Sequence, residues 1–129
     1  MLQTGILNPH INSLLSRVRH TNLLVIADRG FPYWPMIETV DISLTDDIPR
    51  VLDVLRAIQR NFTIGACYVA EEFRTESSAA ARMEFFDAMR HTPITFEPHA
   101  QFKQRVPRAI GLIRTADTTP YANMILESA

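Results

Sequence analysis

A single cysteine, Cys67, occurs in the 129 residues, so no intrachain disulfide can form. It lies in the apolar run Thr63 to Ala70, where a free thiol usually behaves as a small buried hydrophobe rather than a nucleophile. Glycine is equally scarce: Gly5, Gly30, Gly65 and Gly111 never approach the spacing of a dinucleotide fingerprint or a P-loop, which speaks against a nucleotide cofactor. The four histidines, His10, His20, His91 and His99, include no pair four apart on a helix, so no metal site is expected. Long apolar runs are also missing, the best being Leu23 to Ala27, far below the roughly 18 to 20 residues of a membrane span. The first eight residues carry no basic stretch leading into an apolar one, so a cytoplasmic protein without a secretory signal is expected.

Neither charge predominates. Thirteen basic and fourteen acidic side chains leave a net charge of −1, which makes nucleic acid and anionic membrane poor partners. With 47% hydrophobic and 21% charged residues, the chain has enough apolar material to bury a core, and its length suits one domain over residues 1–129.

Local patterns divide the chain into alternating elements. Asn8-Pro9 is a helix start, with Asn at the N-cap and Pro at the first helical position; Ile11, Leu14, Leu15 and Val18 mark one face, and the helix is expected to end near Arg19 or His20. Leu23 to Ala27 reads as a strand buried on both faces, followed by a loop through Arg29-Gly30-Phe31-Pro32-Tyr33-Trp34-Pro35. Thr39 to Leu44 reads as a second strand. Asp46 or Asp47 is expected to cap a helix through Arg60 whose stripe is Val51, Leu52, Leu55 and Ile58. Thr63 to Ala70 reads as a third strand, and Ser77 or Ser78 as the start of a helix through Arg90 with Ala81, Phe85 and Met89 inward. Ile94 to Glu97 follows as a short strand, His99 to Arg105 as a short helix, and Ile110 to Arg114 and Asn123 to Leu126 as closing strands. This alternation predicts an α/β fold: a three-layer sandwich with a mixed or mostly parallel sheet and helices on both faces.

Several polar residues stand where the chain leaves these elements, the usual place for binding and catalytic groups in α/β proteins. His20 follows a helix, Asp28 closes a strand, His99 opens a helix after Pro98, and Tyr121 and Asn123 flank the last strand. Each also has a plainer reading. His20 is a favourable cation at a helix C-terminus, Asp28 a turn former before Gly30, and His99 with Lys103 one solvated helical face. Glu71, Glu72 and Arg74 read as a solvated charge run, with a buried carboxylate there as the sharper alternative, and Tyr33 and Trp34 as either sugar-stacking residues or interface or core anchors.

In their order, certain pieces of this sequence resemble the D-ribose pyranase and fucose mutarotase family. They are His20-Thr21; Ala27-Asp28 with Gly30-Phe31-Pro32; Asp41 to Thr45 with Ile48-Pro49; Ala70-Glu71-Glu72; His99-Ala100-Gln101-Phe102-Lys103; and Ile113-Arg114-Thr115 with Pro120 to Leu126. The ribose branch is the better match, although Phe31 is more like the fucose branch. The resemblance implies an isomerase that needs no cofactor and interconverts pyranose and furanose forms of D-ribose. His20 would be its acid/base catalyst, with Asp28, His99, Tyr121, Ala122 and Asn123 around the sugar and Lys103 as a further contact. It also implies a ring-shaped homo-oligomer, a decamer in many members, with sites near subunit contacts. Mutarotation of fucose or another aldose, or non-catalytic sugar binding, remain the alternatives. Arg19, Asn22 and Arg29 depart from the family pattern around His20 and Asp28.

Overall fold

The structure is a computed structural model describing residues 1–129. Six strands form one sheet in the order β2-β5-β1-β6-β3-β4: β1 (Leu23–Ala27), β2 (Glu38–Asp41), β3 (Ile64–Ala70), β4 (Ile94–Glu97), β5 (Gly111–Arg114) and β6 (Met124–Ser128). β6 runs antiparallel to both neighbours, β1 and β3, while every other pairing is parallel. The carboxyl ends of β1 to β5 therefore share one edge of the sheet with the start of β6.

The central strand β1 is apolar at every position because both of its faces are covered, and all five residues are buried. On one face Leu24, Ile26, Ile113, Met124 and Leu126 pack beneath α1 (Pro9–Leu15), α2 (Val51–Gln59), α3 (Glu72–Glu76) and α4 (Ala79–Ala88). On the other, Leu23, Val25, Ala27, Leu112 and Ile125 meet α5 (His99–Arg105), the 3-10 turn Val106–Arg108 and the loop residues Phe31 and Ile37. The expected three-layer arrangement is present, with one face much more heavily covered. Close layering dictates Gly111, where a Cβ would stand 2.5 Å from Leu14 Cδ1. No helix is long and apolar enough to cross a membrane.

Element ends differ from the sequence expectations for identifiable reasons. α1 stops at Leu15 instead of continuing to Arg19 or His20: the N–H groups of Arg17 and Val18 turn to i−3 carbonyls, and this tighter turn still buries Val18. β2 ends at Asp41, not Leu44, because the Asp41 carboxylate accepts the Ser43 N–H and hydroxyl in a local turn. Neither Asp46 nor Asp47 caps α2. That helix begins at Val51, whose N–H donates to the buried Asp117 carboxylate at 2.9 Å, and Asp53 reaches back to the Arg50 N–H. Val54 joins Val51, Leu55 and Ile58 on the buried stripe, while Leu52 is half-buried. Ser78 caps α4 as expected, and Phe85 and Met89 are buried, but Ala81 is only half-buried. Glu72 lies in α3, a short helix inside the segment read as a charge run, anchored by the buried Phe73.

Candidate functional site

Asp28 follows directly on β1 at the carboxyl edge, and Asn123 precedes β6 beside it. The Asn123 side chain is oriented by this pairing: its Oδ1 accepts the Asp28 N–H at 2.6 Å, so its Nδ2 faces and donates to Asp28 Oδ2 at 3.1 Å. The second carboxylate oxygen, Oδ1, accepts the Gly30 N–H at 2.9 Å. Asp28 thus forms the turn that its plainer reading anticipates and also engages the last strand. Burial raises its pKa, opposed by hydrogen bonds from Gly30, Asn123 and Phe31. Arg29 does not pair with Asp28; its guanidinium turns away to Asp46 at 2.6 Å.

His99 opens α5 at the same edge. Its N–H lies 3.0 and 3.1 Å from the two Glu72 carboxylate oxygens, so this carboxylate sits at the start of the helix, where negative charge is favoured. The imidazole is not on a solvated face. It stacks on Phe102 at 5.9 Å between ring centroids and meets Tyr121 edge-on at 5.1 Å and Phe31 at 6.2 Å. Its Nδ1 is buried without a partner in the chain. Burial, aided by the Lys103 charge, lowers the His99 pKa against the opposing carboxylates of Glu72 and Asp28.

A pH dependence follows. Above the ordinary histidine value of 6.5 the ring is neutral whether folded or not. As pH falls below it, the unfolded chain takes up a proton that the folded site resists, so stability declines until the lowered pKa is reached. The thermal midpoint of the wild type is expected to fall more between about pH 7.5 and about pH 5.5 than that of His99→Phe. Equal decreases would refute this.

Tyr121 reaches the cluster through backbone in the left-handed region, at φ 57, and Ala122 follows it with its N–H on the Thr119 carbonyl. Lys103 lies one turn along α5, half-buried. Arg114, unassigned from sequence, lies across the loop after β1: its guanidinium donates to the carbonyls of Asp28, Arg29 and Pro32 at 3.3 to 3.4 Å. The buried-carboxylate alternative for Glu71 and Glu72 is met in part at Glu72, whose partner His99 only the folded chain brings to it. Trp34 is half-buried against the second core beside Phe31, whereas Tyr33 is exposed.

His20 is elsewhere. It stands before β1, and the five-residue strand at about 3.3 Å per residue separates it from Asp28 by roughly 16 Å or more. It is exposed at the apex of a turn closed by the Asn22 N–H on the Arg19 carbonyl and the Arg19 N–H on Asn22 Oδ1. Arg19 and Asn22 thus build the turn that carries it. Since α1 ends at Leu15, His20 does not cap a helix.

A cleft of about 210 Å³ lined by Arg50, Phe73, Glu84, Asp117, Thr119 and Ala122 adjoins the cluster only through the 117–122 segment and contains none of the other candidate residues. No three His, Cys, Asp or Glu side chains converge as a metal site would require.

The chain as a whole resembles known proteins. The D-ribose pyranase of Geobacillus kaustophilus is 37% identical, covering 99% of this chain and 93% of its own. The D-ribose pyranase of Enterococcus faecalis is 33% identical, covering 99% and 97%. Among solved structures, Bacillus subtilis RbsD complexed with D-ribose superposes with a TM-score of 0.92 at 29% identity, covering 100% of this chain and 98% of that one. The Streptococcus pneumoniae fucose mutarotase in complex with L-fucose has a TM-score of 0.83 at 17% identity, covering 99% and 98%, which shows a shared fold. A family model matches residues 1–129 in full, and the chain belongs to the RbsD / FucU transport protein family.

Proposed function

We propose that this protein is a D-ribose pyranase, an isomerase that exchanges the pyranose and furanose forms of D-ribose by opening and reclosing the ring. Full-length similarity to D-ribose pyranases supports the activity. The observation in this chain that carries the reading is the convergence of Asp28, His99, Tyr121 and Asn123 at one sheet edge, where burial acts against charge on both Asp28 and His99. A monosaccharide is uncharged and rich in hydroxyls, so it matches a cluster of hydrogen-bonding side chains in partly buried surroundings.

Ring opening moves protons. The anomeric hydroxyl gives up its proton as the bond from C1 to the ring oxygen breaks and the C1 carbonyl forms, and the ring oxygen takes a proton. Reclosure through a different hydroxyl changes the ring size. Histidine, with an ordinary pKa of about 6.5, exchanges protons in both directions near neutrality. His20 is the acid/base group in this reading. His99 Nδ1, unpartnered in the chain, and the Tyr121 hydroxyl bond to the sugar, as do Asp28, Ala122 and Lys103 at the rim. Asn123 acts mainly by orienting the Asp28 carboxylate.

Because His20 and Asp28 lie at opposite ends of β1, one chain does not hold the whole site. The N-terminal edge of one copy meets the C-terminal edge of the next. Such head-to-tail contacts generate a closed ring when the rotation between copies allows it. This contact supports a ring-shaped homo-oligomer, for which we propose a decamer, in the cytoplasm.

NMR saturation exchange on a panel of sugars tests the activity and its specificity together. Faster exchange of ribose ring forms is expected. Acceleration confined to fucose or another aldose would replace the substrate, and sugar binding without acceleration would remove the enzyme reading.

A further inference from the structure

We propose that the main chain at Ala129, lying on Gly65, is the positioning element of His20: it holds the imidazole in the Nδ1–H tautomer and leaves Nε2 as the exchanging atom. The part concerning catalysis rests on the reading of His20 given above, whereas the tautomer is a property of the chain itself.

The turn bearing His20 is joined to the end of β6 by two main-chain bonds. The Thr21 N–H donates to the Ser128 carbonyl at 2.9 Å, and the Ser128 N–H donates to the Asn22 carbonyl at 3.0 Å. Thr21 adopts φ 66, an uncommon region for a β-branched residue, which indicates that the surroundings impose the turn. His20 has one hydrogen-bonding contact of its side chain, between Nδ1 and the main-chain oxygen of Ala129. That oxygen can only accept, so Nδ1 carries the proton. In the neutral ring Nε2 is then a lone pair with no partner in the chain, on an exposed residue. This is the state a general base needs.

The position of Ala129 has its own cause. Its N–H donates to the Thr63 carbonyl at 3.0 Å. The ladder between β3 and β6 shifts register by one residue between Ile64↔Ser128 and Ala66↔Glu127, so Gly65 is the extra residue of a bulge. A Cβ at Gly65 would stand 3.1 Å from Ala129 Cα and 3.4 Å from its nitrogen, tighter than ordinary contact. Glycine at 65 therefore lets the main chain at Ala129 settle where its oxygen meets His20. No other feature of the fold asks for a residue without a side chain at this exposed position.

Ring nitrogens of the full chain, labelled with 15N-histidine and assigned with His20→Gln, are expected to show a protonated Nδ1 and a bare Nε2 at His20 when the ring is neutral. Gly65→Ala is expected to shift these signals toward a mixture of tautomers and to lower kcat for ribose exchange by about 10- to 100-fold with little change in KM, the usual penalty for a misaimed group. Ala129→Pro, which removes the N–H bonded to Thr63 but leaves Gly65, should act the same way and covers the case in which Gly65→Ala does not fold. An Nε2–H tautomer in the wild type would overturn the proposal, as would a folded variant with unaltered ring signals. Shifted ring signals with unchanged exchange would leave the tautomer assignment standing and remove His20 from catalysis instead.

Discussion

Mixing two inactive variants is expected to restore activity. His20→Ala and Asp28→Asn should each lose about 10²- to 10⁴-fold in ribose exchange, the range attributed to a positioned acid/base group and applied here also to loss of the carboxylate at the same site. If each site takes His20 from one copy and Asp28 from the next, reassembly of equal amounts gives sites that lack both, either or neither defect. About one quarter of sites should then be intact, because a head-to-tail contact draws its two halves from independent copies. Recovery to about that fraction of the wild-type rate would confirm shared sites. A mixture no faster than its components, despite demonstrated subunit exchange, would place the whole site within one chain and contradict the separation of His20 from Asp28 along β1.

Asn123→Asp should be the most damaging isosteric change at the carboxyl edge. The wild-type amide donates from Nδ2 to Asp28 Oδ2 at 3.1 Å, and Asn123 is only 3% exposed. Replacing that donor with an oxygen sets two carboxylates against each other in a buried place, where both cannot be ionised together. One proton must then be retained, so the pair titrates at raised pKa values. Carboxylates whose folded pKa is raised favour the folded state at low pH and oppose it as pH rises through the folded value. Asn123→Asp is therefore expected to lose stability from acid toward neutral pH relative to wild type. By contrast, Asn123→Ala leaves the Asp28 N–H without its side-chain partner and should cost about 1 to 3 kcal/mol, with only a weaker dependence of the same sign because the hydrogen bond to Asp28 Oδ2 is lost but no second carboxylate is added. Denaturant titrations of the three proteins over pH measure both effects; parallel pH curves for Asn123→Asp and Asn123→Ala would show that the carboxylates do not interact.

Local signals were reliable where the physics is local. The Asn8 cap, the Ser78 cap and the fully apolar β1 are each decided within a few residues, and each stands as the sequence indicates. The α2 start was missed because its first N–H is held by Asp117, 66 residues away. α3 was hidden in a run of charges because only Phe73 turns inward over so short a helix.

By itself the sequence determined that the protein is an α/β domain with no intrachain disulfide, and it located Asp28, His99, Tyr121 and Asn123 at the ends of elements, since periodicity, caps and turn residues act over a few positions. Only the tertiary structure decided what those residues do together. The antiparallel insertion of β6 brings Asn123 onto Asp28 across 95 positions and Ala129 onto His20 across 109. Hydrogen bonds of that range depend on strand order and register, which no local pattern encodes. The same register sets His20 at the far edge of the sheet from the residues it is proposed to serve.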